Sequence, residues 1–272
     1  MKTNRKFIII YILLSLTIFF GFSLWRFRGF DYIRTFDINE KLANTDQLRI
    51  GSYNVKTLNF GKSLDAFVED VKHLNLDILA VQEVDQESGR SQKMEMLKNM
   101  AESANFPYFQ FYESMWLGEG SYGLGILSKY PIKEIESLEL PNTVFAEPRV
   151  LSKATVEINE QDFQIYNTHM SYLNRDVREQ QTKFIQEHLN NSKNTILMGD
   201  MNNFSINDLF GIKGMYSWNN TEVQYSTFRT SMFNDNVYVS SNLSTEHIEV
   251  QKTSFSDHHM LWGIVSLKEA SE

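Results

Sequence analysis

Short apolar runs that stop at a carboxylate, an amide or an imidazole recur along this chain, and that pattern narrows the folds open to it. "GSYNV" brings Asn54 to the end of one run and "LAVQEVD" brings Glu83. "YNTHM" brings His169, and "NTILMGDMNNF" brings Asp200 and Asn202. "FNDNVYVS" carries Asp235, and "SFSDHHM" carries Asp257 and His258. One such group is a turn, because Gly, Asp and Asn dominate turns. So many in corresponding positions point instead to ligand groups gathered at strand ends, where open α/β sheets bind.

The segments between these runs supply the helices. Leu64, Phe67, Val68, Val71 and Leu74 fall on one apolar stripe. Lys93 to Ala104 is a second helical segment, with Met94, Leu97 and Ala101 on one face, and Arg175 to Asn190 is a third, with Phe184, Ile185 and Leu189 inward. The middle of the chain is β-rich, in "YGLGILSKYPI", "VLSKATVEI" and "FQIYNTHM". Strands mixed with a few long helices over residues 48–268 predict an α/β sandwich of two sheets covered by helices. The stretch from Phe204 to Met232, with Tyr216, Trp218 and Tyr225, is expected to shape a substrate groove.

The N-terminus stands apart. Lys2, Arg5 and Lys6 precede an uncharged run from Phe7 to Trp25, and Arg26 and Arg28 follow it. That run approaches the ~20 residues that cross a bilayer core. It is longer than the apolar part of most cleaved signal peptides and lacks a clear small-residue cleavage site. Residues 1–30 are therefore expected to be an uncleaved signal anchor, a transmembrane helix with the domain outside, joined by a polar linker over 31–47. A cleaved signal, giving a secreted protein, or a buried helix are the alternatives.

Charge supports that division. Residues 1–30 hold five of the 26 Lys and Arg and none of the 34 Asp and Glu, which leaves the remainder with a net charge of −13. A field of that sign slows the approach of polyanions, and nucleic-acid-binding domains usually carry the opposite. Cysteine is absent, so disulfides, thiolate metal sites and cysteine catalysis are excluded.

The segments "SYNV", "QEVD", "YGLGILSKYP", "NTH", "GDMN", "NDNVYVS" and "SDHH" stand in an order and at a spacing that resemble the endonuclease/exonuclease/phosphatase superfamily, from about Leu48 to Leu267. The resemblance implies a four-layer α/β/β/α sandwich of two mixed sheets, and metal-dependent hydrolysis of phosphoesters. It implies that Glu83, with Asn54 beside it and Asp257 as a second carboxylate, serves a divalent metal. Mg²⁺ is the expected ion, with Mn²⁺ as a substitute, since hard cations take oxygen ligands. It implies that His258 is the catalytic histidine and that Asp235 fixes its tautomer. His169 would donate to a phosphate oxygen, while Asp200 and Asn202 position water and phosphate. Either His258 or Asp200 would take the proton from the water. Arg149 is a candidate phosphate contact, and Tyr122 a candidate cleft residue. His73, His188, His247 and His259 are read as packing or surface residues.

The departures from the family pattern are Met260 where Pro is common, "GDMN" for "GDFN", and altered neighbours around Asp235. None removes a chemical group, but they leave the substrate open. A small or lipid-derived phosphodiester is expected, with an extracellular DNA or RNA endonuclease as the alternative and a binding protein with a vestigial site as a third reading. A monomer is expected.

Overall fold

The computed structural model describes residues 34–35, 47–189, 193–229 and 232–268. Strands run in chain order as β1 (Arg34–Thr35), β2 (Gln47–Asn54), β3 (Ile78–Gln86), β4 (Tyr108–Leu117), β5 (Gly120–Ser128), β6 (Ile132–Glu139) and β7 (Val150–Ile158). They continue as β8 (Gln161–His169), β9 (Thr195–Asp200), β10 (Met215–Ser217), β11 (Asp235–Ser240), β12 (Leu243–Gln251) and β13 (Met260–Leu267). The longer helices are α1 (Leu64–Lys72), α2 (Met96–Ala104) and α3 (Arg175–His188).

These strands form two mixed sheets. One has the order β1-β4-β5-β3-β2-β13-β12, the other β10-β11-β9-β8-β7-β6. The parallel pairs are β2 with β3 and β8 with β9, each joined by a crossover through a helix (α1 and α3). Parallel strands of this kind are covered on both faces and read as continuous apolar runs. That is why "LDILAV" and "TILMG" lack a clean two-residue alternation.

The core lies between the sheets. Ile50, Ile78, Ala80, Leu124 and Ile126 of the first sheet share a cluster with Ala154, Val156, Phe163, Ile165, Ile196, Met198, Val237 and Val239 of the second. On the outer face of the first sheet, α2 buries Met96, Leu97, Met100 and Ala101 against β3 and β4, and Phe67 of α1 stacks on Tyr53 of β2. On the outer face of the second sheet, Ile185 and Leu189 pack with Tyr166, Leu197 and Tyr238. The layers are therefore helix, sheet, sheet, helix, as expected from sequence.

The differences are local. The second helix starts at Met96, because Lys93 takes a left-handed φ of 58° and closes a turn before it. The third is described to His188, and Asn190 lies outside the described residues. Trp218 belongs to the core, where its Nε1 donates to Thr245 Oγ1 at 3.0 Å, so it does not line a groove. Among the described residues no helix is long and apolar enough to cross a membrane. The expected anchor over residues 1–30 lies outside them.

Candidate active site

Both sheets present the same end of their strands to one cleft of about 520 Å³, a size suited to a small ligand. The second sheet contributes a row set by register. Asp200 on β9 pairs with His169 on β8 and with Asp235 on β11, so three chemical groups lie abreast at the strand ends. The first sheet contributes Asn54 at the end of β2 and Glu83 on β3.

Glu83 owes its direction to a β-bulge. Val81 pairs with Gly125 and Val84 with Gly123, so Gln82 and Glu83 together oppose one residue of β5. Glu83 takes a left-handed φ of 58°, a strained conformation for a residue with a side chain. Its carboxylate then lines the cleft, while Gln82 turns between the sheets and donates to Asn167 Oδ1 at 2.8 Å. Asn167, one strand position from Thr168 and fully buried, donates from Nδ2 to the carbonyls of Val81 (3.0 Å) and Gly125 (2.9 Å). Those carbonyls flank the bulge. A side chain of the second sheet therefore holds the irregularity of the first.

Asn54 joins the two halves. Its Nδ2 donates to Glu83 Oε1 and to Asp200 Oδ2, each at 3.0 Å. Asp200 Oδ1 accepts from the backbone N–H of Asn202 at 2.9 Å. Asn202 itself takes a left-handed φ of 52° and donates from Nδ2 to Met170 O. Burial raises the Asp200 carboxyl above the usual carboxylate range. Burial likewise raises Glu83, with Asp200 adding to it.

The histidines divide into two states. Arg149 Nη1 approaches His169 Nδ1 at 3.0 Å. A guanidinium can only donate, so His169 Nδ1 accepts and its proton sits on Nε2, which faces Asp200 Oδ2 at 3.4 Å. Burial, then Arg149 and His258, hold His169 well below its ordinary pKa and thus neutral. His258 is the opposite case. Its Nδ1 lies 2.9 Å from Asp235 Oδ2 and its Nε2 lies 3.5 Å from Asp200 Oδ2. Burial opposes its charge, but Asp235 and Asp200 outweigh burial and raise it to about 10.

His258 and Asp235 do not meet on neighbouring strands of one sheet. Asp235 starts β11 in the second sheet, while His258 precedes β13 of the first. The pair forms across the two sheets. The turn before His258 is tied in place by Ser256, whose Oγ donates to Asn54 O and accepts from His258 N–H.

Asp200, Asp235 and His258 each offer a ligand atom within 4.8 Å of the others. Within this trio Asp235 Oδ2 is already engaged by His258 Nδ1. Glu83 fits a cation better, because it is a partly buried carboxylate beside a second, buried one, with a single amide bridging them. Such an oxygen-only donor set suits a hard divalent ion. Asp257, the other expected metal carboxylate, pairs with Lys56 Nζ at 3.0 Å. Lys56 opens a left-handed stretch, Lys56 to Phe60 at φ 44–60°, closed by Gly61 at φ 79°. Each non-glycine residue there costs ~1–2 kcal/mol. The bonds from Val55 N to Gln82 O and Thr57 N to Glu83 O hold the stretch against β3.

Every expected site residue thus lies at or directly beside this cleft. Tyr122 lines it, and Arg149 orients His169 besides lining it. Glu147 holds Arg149 at 2.8 Å. Sequence reading passed over Lys56, Arg90, Glu147, Asn167 and Asn234. Two of them stand inside quoted segments: Asn167 opens "NTH", two residues before His169 on the same strand, and Asn234 opens "NDNVYVS", directly before Asp235. His73 and His188 bond carbonyls of their own helices, His247 pairs with Glu249, and His259 accepts from Thr253 N–H. Packing and surface roles fit all four.

Similar folds are found among solved structures. An endonuclease/exonuclease/phosphatase from Beutenbergia cavernae DSM 12333 superposes with a TM-score of 0.64 at 16% identity, over 81% of this chain and 72% of that one. A humanized D. rerio TDP2 gives 0.62 at 18% identity, over 82% and 100%. A mannosyl-6-phosphatase from Bacteroides thetaiotaomicron VPI-5482 gives 0.61 at 18%, over 82% and 100%. No curated protein matches the sequence. Residues 51–258, which run from the second half of β2 to His258, match the Endonuclease/Exonuclease/phosphatase family. With that match, and with this cleft at the strand ends, the chain belongs to the endonuclease/exonuclease/phosphatase family and is a metal-dependent phosphoester hydrolase.

Proposed function

We propose that this domain hydrolyses a small or lipid-derived phosphodiester with Mg²⁺, outside the cytoplasm, carried by its N-terminal anchor. The observation that carries the reaction is the arrangement around Asp200: one carboxylate within 3.5 Å of an amide, a neutral histidine and a doubly paired histidine. Glu83, with Asn54 and Asp257 nearby, would hold the cation. When bound, the ion supplies Lewis-acid stabilisation of charge on the phosphoryl oxygens.

The remaining work falls to the chain itself. His169 presents Nε2–H as a neutral donor toward a phosphoryl oxygen, its tautomer set by Arg149. His258, held as an imidazolium between Asp235 and Asp200, supplies a positive donor where negative charge builds. Asp200 is the group left to accept the proton of the attacking water, and its raised pKa brings it closer to the working pH of a general base. Asn202, through its backbone N–H, fixes which Asp200 oxygen faces the cleft.

The acidic domain, net −13, favours small substrates over nucleic acid. An endonuclease is the second reading, because the family match itself names that activity. The deciding experiment offers the purified domain, with Mg²⁺ or with EDTA, bis-p-nitrophenyl phosphate, sphingomyelin, inositol phosphates, RNA and plasmid DNA. Turnover of the small diester or a lipid headgroup that stops in EDTA is the expected result. Efficient cutting of plasmid with no turnover of small esters would replace this reading with the nuclease.

A further inference from the structure

Two residues beyond Glu83, β3 carries a second carboxylate, Asp85, which is fully buried. Arg90 grips it with a two-pronged fork, Nε to Oδ2 at 2.8 Å and Nη2 to Oδ1 at 2.7 Å, and Ser91 Oγ donates to the same Oδ2. Among the described residues the Nη1 edge of Arg90 has no protein acceptor. The side chain is 37% exposed, lines the cleft, and sets its guanidinium carbon 5.3 Å from the ring centroid of Tyr122.

The loop that presents Arg90 is fixed from several sides. Glu87 N–H donates to Met94 O and Lys93 N–H to Ser88 O, both at 2.9 Å. The β4–β5 hairpin closes directly on it at Gly120, where a Cβ would stand 2.4 Å from Gln86 O and Ser88 N. The guanidinium is therefore aimed before any ligand arrives, and the entropy of ordering it is already spent.

Within the first sheet, this feature and the Lys56–Asp257 pair fall on opposite sides of Glu83. Glu83 lies on β3, with β2 and β13 on one side and β5 and β4 on the other. Lys56 and Asp257 lie on the β2–β13 side. Arg90 and Tyr122 lie on the β5 side of Glu83.

We infer that Arg90, stacked on Tyr122 and oriented by Asp85, is a second oxyanion subsite that binds a phosphate group of the substrate other than the one cleaved. The inference rests on the phosphodiesterase reading above and names its preferred substrates as phosphoesters with a second phosphate. A guanidinium used only to neutralise Asp85 has no need of a fixed, cleft-facing edge. The fork and the Tyr122 stack hold that edge toward an incoming oxyanion, the geometry at which Arg surpasses Lys.

The test compares two probes that differ by one phosphate, thymidine 5′-(p-nitrophenyl phosphate) and its 3′-phosphorylated analogue, on full-length wild type, Arg90→Gln and Arg90→Lys. One charged hydrogen-bonded contact corresponds to about tenfold in affinity or more. Wild type is expected to prefer the 3′-phosphorylated ester by about tenfold in kcat/KM. Arg90→Gln should bring that ratio close to one, with Arg90→Lys between. A ratio that does not respond to Arg90, or a wild type with no preference, overturns the subsite. Calorimetric binding of thymidine 3′,5′-bisphosphate against thymidine 5′-monophosphate reads the same preference without turnover. If that preference stands and vanishes in Arg90→Gln while neither ester is hydrolysed, the proposed reaction fails and the subsite survives.

Discussion

Asn167→Ala should both destabilise the fold and misdirect Glu83. The side chain makes three buried hydrogen bonds that bridge the sheets: to Val81 O, to Gly125 O and from Gln82 Nε2. Each such bond contributes ~1 kcal/mol net, and each group left unpaired in the interior costs ~1–3 kcal/mol. Two carbonyls and one amide would lose this partner, so the loss should be about 3–5 kcal/mol, the lower end applying if water enters the space. For a domain of this size that is a fall in Tm of roughly 10 °C. Urea denaturation measures it, read as a shift in midpoint at constant slope. The same two carbonyls flank the bulge that aims Glu83, so apparent metal affinity, titrated as activity against Mg²⁺, should weaken about tenfold or more. Gln82→Ala shares the network and should be strongly non-additive with Asn167→Ala. A loss under about 1 kcal/mol, or full additivity of the two, would refute the bridge as the support of the bulge.

Three other outcomes follow from the same geometry. Glu83→Gln keeps size and the bond from Asn54 but removes the charge, so circular dichroism should be unchanged while turnover on the diester falls at least a hundredfold; full activity persisting in EDTA would reject the metal assignment. His258→Ala should cost roughly 10²–10⁴ in rate and Asp235→Asn somewhat less, and because the two act as one unit the double variant should resemble His258→Ala alone; additive losses would separate them. The pKa of His258 stands at about 10, above its unfolded value, so its stabilisation is fully present below the unfolded pKa of ~6.5 and is lost as pH rises through about 10. The urea midpoint of metal-free wild type relative to His258→Gln should therefore shrink across that window, and a difference that stays flat or grows would contradict the paired imidazolium.

The sequence by itself carried the chemistry and the layers. Periodicity placed α1 and α3 because Leu64, Phe67 and Val71, or Phe184, Ile185 and Leu189, repeat as one helical face, and such patterns are local. The strand-end groups Asn54, Glu83, His169, Asp200, Asp235 and His258 were legible for a related reason: polar groups that end apolar runs must leave the core at the same edge. The start of α2 was not legible, since Lys93 to Met96 is decided by a left-handed turn whose bonds reach back to Ser88.

What only the tertiary structure decided is which groups face one another. The partnership of Asp235 with His258 spans two sheets, and nothing local says that β11 and the turn before β13 share an edge. Arg149 has the composition of a phosphate contact, but its position opposite His169 Nδ1 makes it the residue that fixes a tautomer. Glu83 points into the cleft because a bulge adds one residue to β3, and that bulge persists because Asn167, 84 positions away in the chain, satisfies the carbonyls beside it. Trp218, polar-flanked and aromatic in sequence, packs into the core, where a bond to Thr245 satisfies its Nε1–H. In each case the sequence states which hydrogen-bonding groups a segment owns, whereas their partners depend on register and on sheet-to-sheet approach, which are properties of the whole packed chain.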